Sequence, residues 1–205
     1  MLRASANQGV TAMVATPHFY PMENSPERFL SRRNAAAEQL REVWQKDFPK
    51  LYLGAEVFYF EGIAMAQEVE ALCIEDTGVL LLEMPFSTWS ERMVKEIKEL
   101  HGRQGITVLM AHIERYMRFQ KDAVWEDLLR AGVLMQSNAE FFLHWNTRKK
   151  ARRMLREERI HLLGSDCHNM KSRPPMLGEA LRKLSEADQQ QLEENIREFL
   201  PELCV

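Results

Sequence analysis

Six short apolar runs recur along the chain, at residues 10–15, 51–53, 79–82, 106–110, 133–135 and 160–163. Runs this brief, rich in Val, Ile and Leu, read as buried strands of a parallel sheet. The stretches between them carry apolar side chains at helical spacing. Ser25-Pro26-Glu27 opens one such helix, with Ser as N-cap and Pro in the first turn. It is expected to run to about Lys46, with Phe29, Ala36, Leu40, Val43 and Trp44 facing inward. A short helix is expected over 63–71. An amphipathic one over 90–102 places Met93, Ile97 and Leu100 on one face. Helices follow over 122–131, stopped by Gly132, and over 147–158, where Ala151, Met154 and Leu155 face inward and the dense charge reads as a solvated face. After Pro174-Pro175 come two more, 177–184 and 186–199, and residues 1–8 read as the end of a helix stopped at Gly9. Strand–helix alternation means an α/β fold with a parallel sheet. No repeat or long linker divides it, so residues 1–205 are read as a single domain.

Each apolar run hands over to a polar residue. The chain reads Thr16-Pro17-His18, Gly54-Ala55-Glu56, Glu83-Met84-Pro85, Ala111-His112-Ile113-Glu114-Arg115, Gln136-Ser137-Asn138 and Gly164-Ser165-Asp166-Cys167-His168. The carboxyl ends of parallel strands are where α/β folds build their sites, and polar ends on nearly every strand favour a closed or nearly closed barrel over a doubly wound sheet. The candidate ligands are therefore His18, Glu56, Glu83, His112, Asp166 and His168. Mixed carboxylate and imidazole donors suit Mn²⁺, Zn²⁺ or Fe better than Mg²⁺ or Ca²⁺. Neighbouring metal ions neutralise charge and activate water, which hydrolysis of a phosphate monoester requires. Arg115 and Arg173 are arginines close to these residues in sequence, and either can grip a phosphate.

Plainer readings exist for several of these positions. Glu56 also fits a turn cap and His18 a satisfied surface histidine. Glu83 follows four apolar residues, and a carboxylate buried there needs a metal or an Arg partner. His101 lies at a helix end, where its charged form suits the dipole. His161 opens a strand at its amino end, the stability face, and His144 sits in no telling place. Cys167 reads as a bystander, because no base is placed beside it in sequence. The 12 Met residues read as core filler.

Composition narrows the class further. Hydrophobic residues make up 45% and charged residues 28%, an ordinary globular balance that excludes disorder. A formal net charge of −3, with no basic block longer than Arg148-Lys149-Lys150, speaks against nucleic acid as the main partner. No apolar run is long enough to span a membrane, and no signal-peptide pattern opens the sequence, so a cytoplasmic location is expected. Cys73, Cys167 and Cys204 are scattered and odd in number, as free thiols of a reducing compartment would be.

Taken in order, Val14-Ala15-Thr16-Pro17-His18, Gly54-Ala55-Glu56-Val57, Leu82-Glu83-Met84-Pro85, Ala111-His112-Ile113-Glu114-Arg115 and Ser165-Asp166-Cys167-His168-Asn169 followed by Arg173 resemble the PHP (polymerase and histidinol phosphatase) superfamily. The closer resemblance is to bacterial capsule and exopolysaccharide tyrosine-protein phosphatases of the CpsB/YwqE type. It implies a distorted TIM-like βα barrel with a trinuclear metal centre, most readily manganese. It also implies a cytoplasmic protein that dephosphorylates tyrosines on the tail of a tyrosine autokinase controlling polysaccharide export. By motif, Glu56 would bridge two metals, Glu83 and His112 would complete one, Asp166 would belong to the other, and His18 and His168 would bind the third. Arg115 would contact the phosphate and Arg173 assist. Two departures stand out. The family opens on a strand bearing His-x-His, and this sequence starts inside the helix after it, which implies a barrel missing its first strand and an open edge for self-association. The family's His-Pro-Glu-Arg also reads His112-Ile113-Glu114-Arg115 here. Another PHP phosphoesterase, such as a histidinol-phosphate phosphatase, and a non-catalytic remnant that binds a kinase tail are the alternatives.

Overall fold

The computed structural model describes residues 1–103 and 105–204. All six apolar runs become strands, and every strand pairing is parallel. The first pass across the sheet comes in two pieces, β1 (Ala12–Ala15) and β2 (His18–Phe19). Thr16-Pro17 separates them, since proline has no N–H to give to a ladder. The second pass is likewise split into β3 (Lys50–Leu53) and β4 (Glu56–Phe58), with β1 on β3 and β2 on β4. Bonds from Gly54 N–H to the Ala15 carbonyl (2.9 Å) and from Glu56 N–H to the Pro17 carbonyl (3.1 Å) bridge the break. The sheet continues through β5 (Val79–Glu83), β6 (Thr107–Met110), β7 (Leu134–Asn138) and β8 (Leu162–Gly164). Among the described residues β1 and β8 each pair on one side only, so the sheet is a half-barrel open between them.

Side-chain alternation along the strands divides the apolar residues between two cores. Leu80, Leu82, Val108 and Met110 belong to the large one, packed with Ile97 and Leu100 of α3 (Glu91–His101) and Leu128 of α4 (Asp122–Arg130). Their neighbours Val79, Leu109, Leu134 and Leu162 face the other side and meet Tyr52, Leu200 and Leu203. The C-terminal turn thus fills the inside of the half-barrel, and the Tyr52 hydroxyl ties it down by donating to the Glu202 carbonyl at 2.8 Å. Each fully buried Leu or Ile is worth about 1.5–3 kcal/mol.

The remaining helices are α1 (Leu2–Ala6), α2 (Pro26–Glu42), α5 (Ala139–Leu143), α6 (Arg148–Arg156), α7 (Leu177–Arg182) and α8 (Glu186–Phe199). Ser25 caps α2 as expected, its hydroxyl accepting from Arg28 N–H. The helix stops at Glu42 rather than near Lys46, and its inner face is Phe29 and Ala37. Ala36 is exposed, and Val43 stands 65% exposed beyond the helix end. Phe29 faces inward as expected, but Ala37 takes the place of Ala36, because α2 is polar on most of its surface and its few apolar side chains do not fix a stripe. The short helix at 63–71 is two 3₁₀ turns, Ile63–Met65 and Gln67–Leu72. His101 corrects a second expectation. Burial lowers its pKa, and its Nδ1 accepts from Val108 N–H, so it serves as a neutral acceptor and not as a charge on the α3 dipole. One glycine is set by close approach: a Cβ on Gly78 would lie 2.2 Å from the Gly105 carbonyl oxygen, where β5 and β6 begin.

Candidate metal centre

The strand ends converge on one cluster. Glu56 opens β4, Glu83 closes β5, His18 opens β2, and His112 and Asp166 each lie two residues beyond a strand, after β6 and β8. Glu56, Glu83 and His112 are buried, at 6%, 6% and 2% exposure, so the carboxylates must find partners. His112 Nε2 lies 2.8 Å from Glu56 Oε1 and 3.4 Å from Glu83 Oε1. His18 Nδ1 faces the same two groups, 3.6 Å from Glu83 Oε2 and 4.0 Å from Glu56 Oε1. On its other edge His18 Nε2 meets His168 Nε2 at 3.4 Å. Arg115 and Arg173 both ion-pair with Asp166 Oδ2, and Arg173 Nη1 also donates to His168 Nε2 at 3.2 Å. An arginine can only donate, so His168 carries its proton on Nδ1, which donates to the Asp166 carbonyl at 3.0 Å. All eight residues singled out from the sequence are therefore in one connected group.

Two of them sit in backbone that L-residues rarely adopt. His112 has φ 31° and Asp166 φ 48°. Their hold comes largely from β7, whose polar end the sequence reading passed over. Gln136 Oε1 accepts the His112 backbone N–H at 2.7 Å. Gln136 Nε2 donates to Asn138 Oδ1 at 3.2 Å, and Asn138 Nδ2 donates to Asp166 Oδ2 at 3.0 Å. Glu114, just past His112, accepts from Ser137 Oγ at 3.0 Å and from the Asn138 backbone at 3.3 Å, and burial raises its pKa. The only local signal for this brace is that Gln136-Ser137-Asn138 is one more polar end on an apolar run. Asn138→Ala should cost about 10–100-fold in metal affinity, the scale for a group that orients a ligand. Isothermal titration with Mn²⁺ reads the change, and unaltered affinity would remove Asn138 from the brace.

Charge follows the geometry. Burial pushes the Glu83 carboxyl up, but His112 and His18 outweigh it and bring it down to about 2. Burial opposes charge on His112 as well, yet Glu56 and Glu83 raise it to about 9. His18 is raised, chiefly by Glu83. Asp166 is lowered: burial is outweighed by Arg115 and Arg173. A divalent cation fits this centre. Ligand atoms of His18, Glu56 and Glu83 lie within 4.8 Å of one another, and His18 Nδ1 is buried, aimed at two carboxylates and without a hydrogen-bond partner. His112 titrates near pH 9, so at pH 7 it holds a proton that coordination through Nε2 must expel. Apparent metal affinity should thus climb as pH rises toward 9. Calorimetry in buffers of different ionisation enthalpy should show proton release at pH 7; binding without it would place the metal away from His112.

Aromatic rings frame the cluster. Phe86, half exposed, stacks on His112 with centroids 6.2 Å apart, and Tyr20 stacks on His18 at 5.5 Å. The Tyr116 hydroxyl accepts from Met84 N–H at 3.0 Å and fixes the chain just after Glu83.

Fold and site together define a parallel half-barrel with carboxylates, imidazoles and a guanidinium pair at the carboxyl ends of its strands. The chain belongs to the CpsB/CapC family of capsular polysaccharide synthesis, whose model matches residues 1–200. It is 29% identical over 196 residues to the tyrosine-protein phosphatase CpsB of Streptococcus pneumoniae, covering 88% of this chain and 78% of that protein. The Streptococcus agalactiae serotype III CpsB is 28% identical over 201 residues, with 89% and 79% covered. The Bacillus subtilis tyrosine-protein phosphatase YwqE is 27% identical over 192 residues, with 88% and 73% covered. A chain from the crystal structures of Bacillus subtilis YwqE and Streptococcus pneumoniae CpsB, metal-dependent tyrosine phosphatases, superposes with a TM-score of 0.78 at 22% identity, covering 98% of this chain and 85% of that one.

Proposed function

We propose that this protein is a cytoplasmic, metal-dependent phosphatase that hydrolyses phosphotyrosine on a protein, the tail of a bacterial tyrosine autokinase, in the control of capsular polysaccharide synthesis. The observation that carries this reading is the meeting of His18, Glu56, Glu83, His112, Asp166 and His168 with Arg115 and Arg173 in one cluster. Similarity to tyrosine-protein phosphatases along most of the chain supports the substrate class. The site is read as of the PHP type, within one domain spanning residues 1–205, and manganese as its metal, with iron or zinc as substitutes that the same donors accept.

Bound divalent ions supply Lewis acidity that neutralises phosphoryl oxygens and lowers the pKa of water. Glu56, Glu83 and His112 would hold one ion, Asp166 with Glu56 a second, and His18 with His168 a third. Arg115 turns its planar fork to two phosphoryl oxygens and stabilises the charge that builds on them. Arg173 adds a second cation and holds His168 in its Nδ1–H form. Phe86 and Tyr20 offer flat apolar faces to the tyrosyl ring. Phosphate release from a phosphotyrosine peptide with Mn²⁺ added tests the reading. Release that disappears with a chelator and in the His112→Ala variant is expected; a wild-type chain that binds the peptide without turnover would mean a non-catalytic binder.

The open edges of β1 and β8 are also read as a route to self-association, since unpaired strand edges template pairing with another chain. Light scattering across a concentration series should show a mass rising above one chain; a monomer throughout would dismiss this route.

A further inference from the structure

Between α4 and α6, on the far side of the turn that carries Arg115, lies a cavity of about 190 Å³. Ile113 and Met117, which flank Arg115 in the chain, form part of its floor together with Trp125 and Met154. Lys150 and Arg153 line it from α6, and both are exposed. Three cations, Lys150, Arg153 and Arg159, line it against one acid, Asp122; Asp122 lies 3.5 Å from Arg159 and Arg153 lies 3.8 Å from Glu157, both at the surface. Lys150 has no ion pair among the described residues. Seven of the chain's 27 Lys and Arg residues fall within 148–159, in a protein of net charge −3. The first turn of α6 holds Arg148, Lys149 and Lys150 with no acidic residue, and Thr147 makes no capping bond there. Cations at a helix N-terminus oppose its dipole, so this arrangement does not serve α6 itself. Trp145, just before the helix, is 81% exposed.

The volume is below the 300–1,000 Å³ or so typical of cofactor and small-molecule sites and suits a single apolar side chain. The cations around it call for negative charge. We propose that this groove docks a segment of the substrate polypeptide, one apolar side chain seated between α4 and α6 and acidic residues beside it on Lys150 and Arg153. The inference rests on reading the metal centre as one for phosphotyrosine in a protein. The groove would then select substrates by the sequence near the phosphotyrosine, and its occupant would press on the same turn that aims Arg115.

The test begins with binding, independent of turnover. An unphosphorylated fluorescent peptide, one Phe followed by four Asp or Glu, is titrated with the whole chain and read by anisotropy. Lys150→Glu combined with Arg153→Glu, two exposed substitutions that leave the core intact, should weaken it about tenfold, and added salt should weaken wild-type binding. Changing the peptide's Phe to Ser should cost a similar factor. Equal binding by wild type and double variant overturns the proposal, as does binding of phosphatidylglycerol vesicles with none of the peptide. A kinetic arm compares the same peptide carrying phosphotyrosine with free phosphotyrosine. The ratio of their kcat/KM values should fall about tenfold in the double variant. If wild type releases phosphate from neither substrate while the anisotropy results hold, the phosphatase reading falls and the groove stands. If free phosphotyrosine is turned over and the acidic peptide is neither bound nor preferred, the groove falls and the phosphatase reading stands.

Discussion

Arg115→Ala should lower phosphotyrosine turnover by on the order of 10²–10³, the usual scale for one preorganised donor aimed at developing charge. Arg115 leaves the 3₁₀ turn Ile113–Arg115 and reaches across to Asp166, so its side chain lies at the metal cluster. The guanidinium presents two parallel N–H groups, a match for two phosphoryl oxygens that an ammonium lacks. Arg115→Lys should therefore recover little. The loss should fall on kcat with the ion at Glu56, Glu83 and His112 retained, since those three ligands make no bond to Arg115, whose partner is Asp166. Full turnover in both variants would assign Arg115 to holding Asp166 alone.

Glu83→Gln should remove most metal binding, by more than the roughly 10–100-fold that a merely supporting group costs. Like Glu56, Glu83 is approached by both His112 and His18, here at 3.4 Å and 3.6 Å. The amide keeps the shape and removes the charge. His18 then loses its main source of positive bias and His112 one of its two, with Glu56 still in place, so His112 should titrate below 9. The effect on stability should be smaller than for a fixed ion pair, because a histidine left alone gives up its proton instead of staying buried and charged. Metal content after dialysis, with a thermal melt, separates the two effects. A variant that keeps its metal and only melts lower would make Glu83 a structural partner of the histidines.

The strands were legible because apolar, β-branched runs this short have few other uses. Their limits were less so. Val10, Val133 and Ile160 lie outside the strands, while β5 runs on into Glu83 and β7 into Gln136, Ser137 and Asn138. A backbone ladder does not stop where side chains turn polar. The eight site residues were legible for the same reason: each ends a strand or lies a few residues past one. Gln136 and Asn138 share that position but carry no charge, and amides draw attention only when their partners are known. Those partners, His112 and Asp166, are 24 and 28 residues away. α5 went unseen because five residues are too few to show a helical period.

The all-parallel sheet also bears on how the protein is acquired. No two adjacent strands in it are joined by a hairpin, so each pairing waits for a crossover segment to fold back, and loop closure precedes any gain. Such a topology should fold slowly and expose unpaired edges meanwhile. The ligands come from both ends of the sheet, from His18 on β2 to Asp166 beyond β8. A partly folded chain cannot gather them, so a complete metal centre should form last in refolding, and its occupancy would report how many chains have finished.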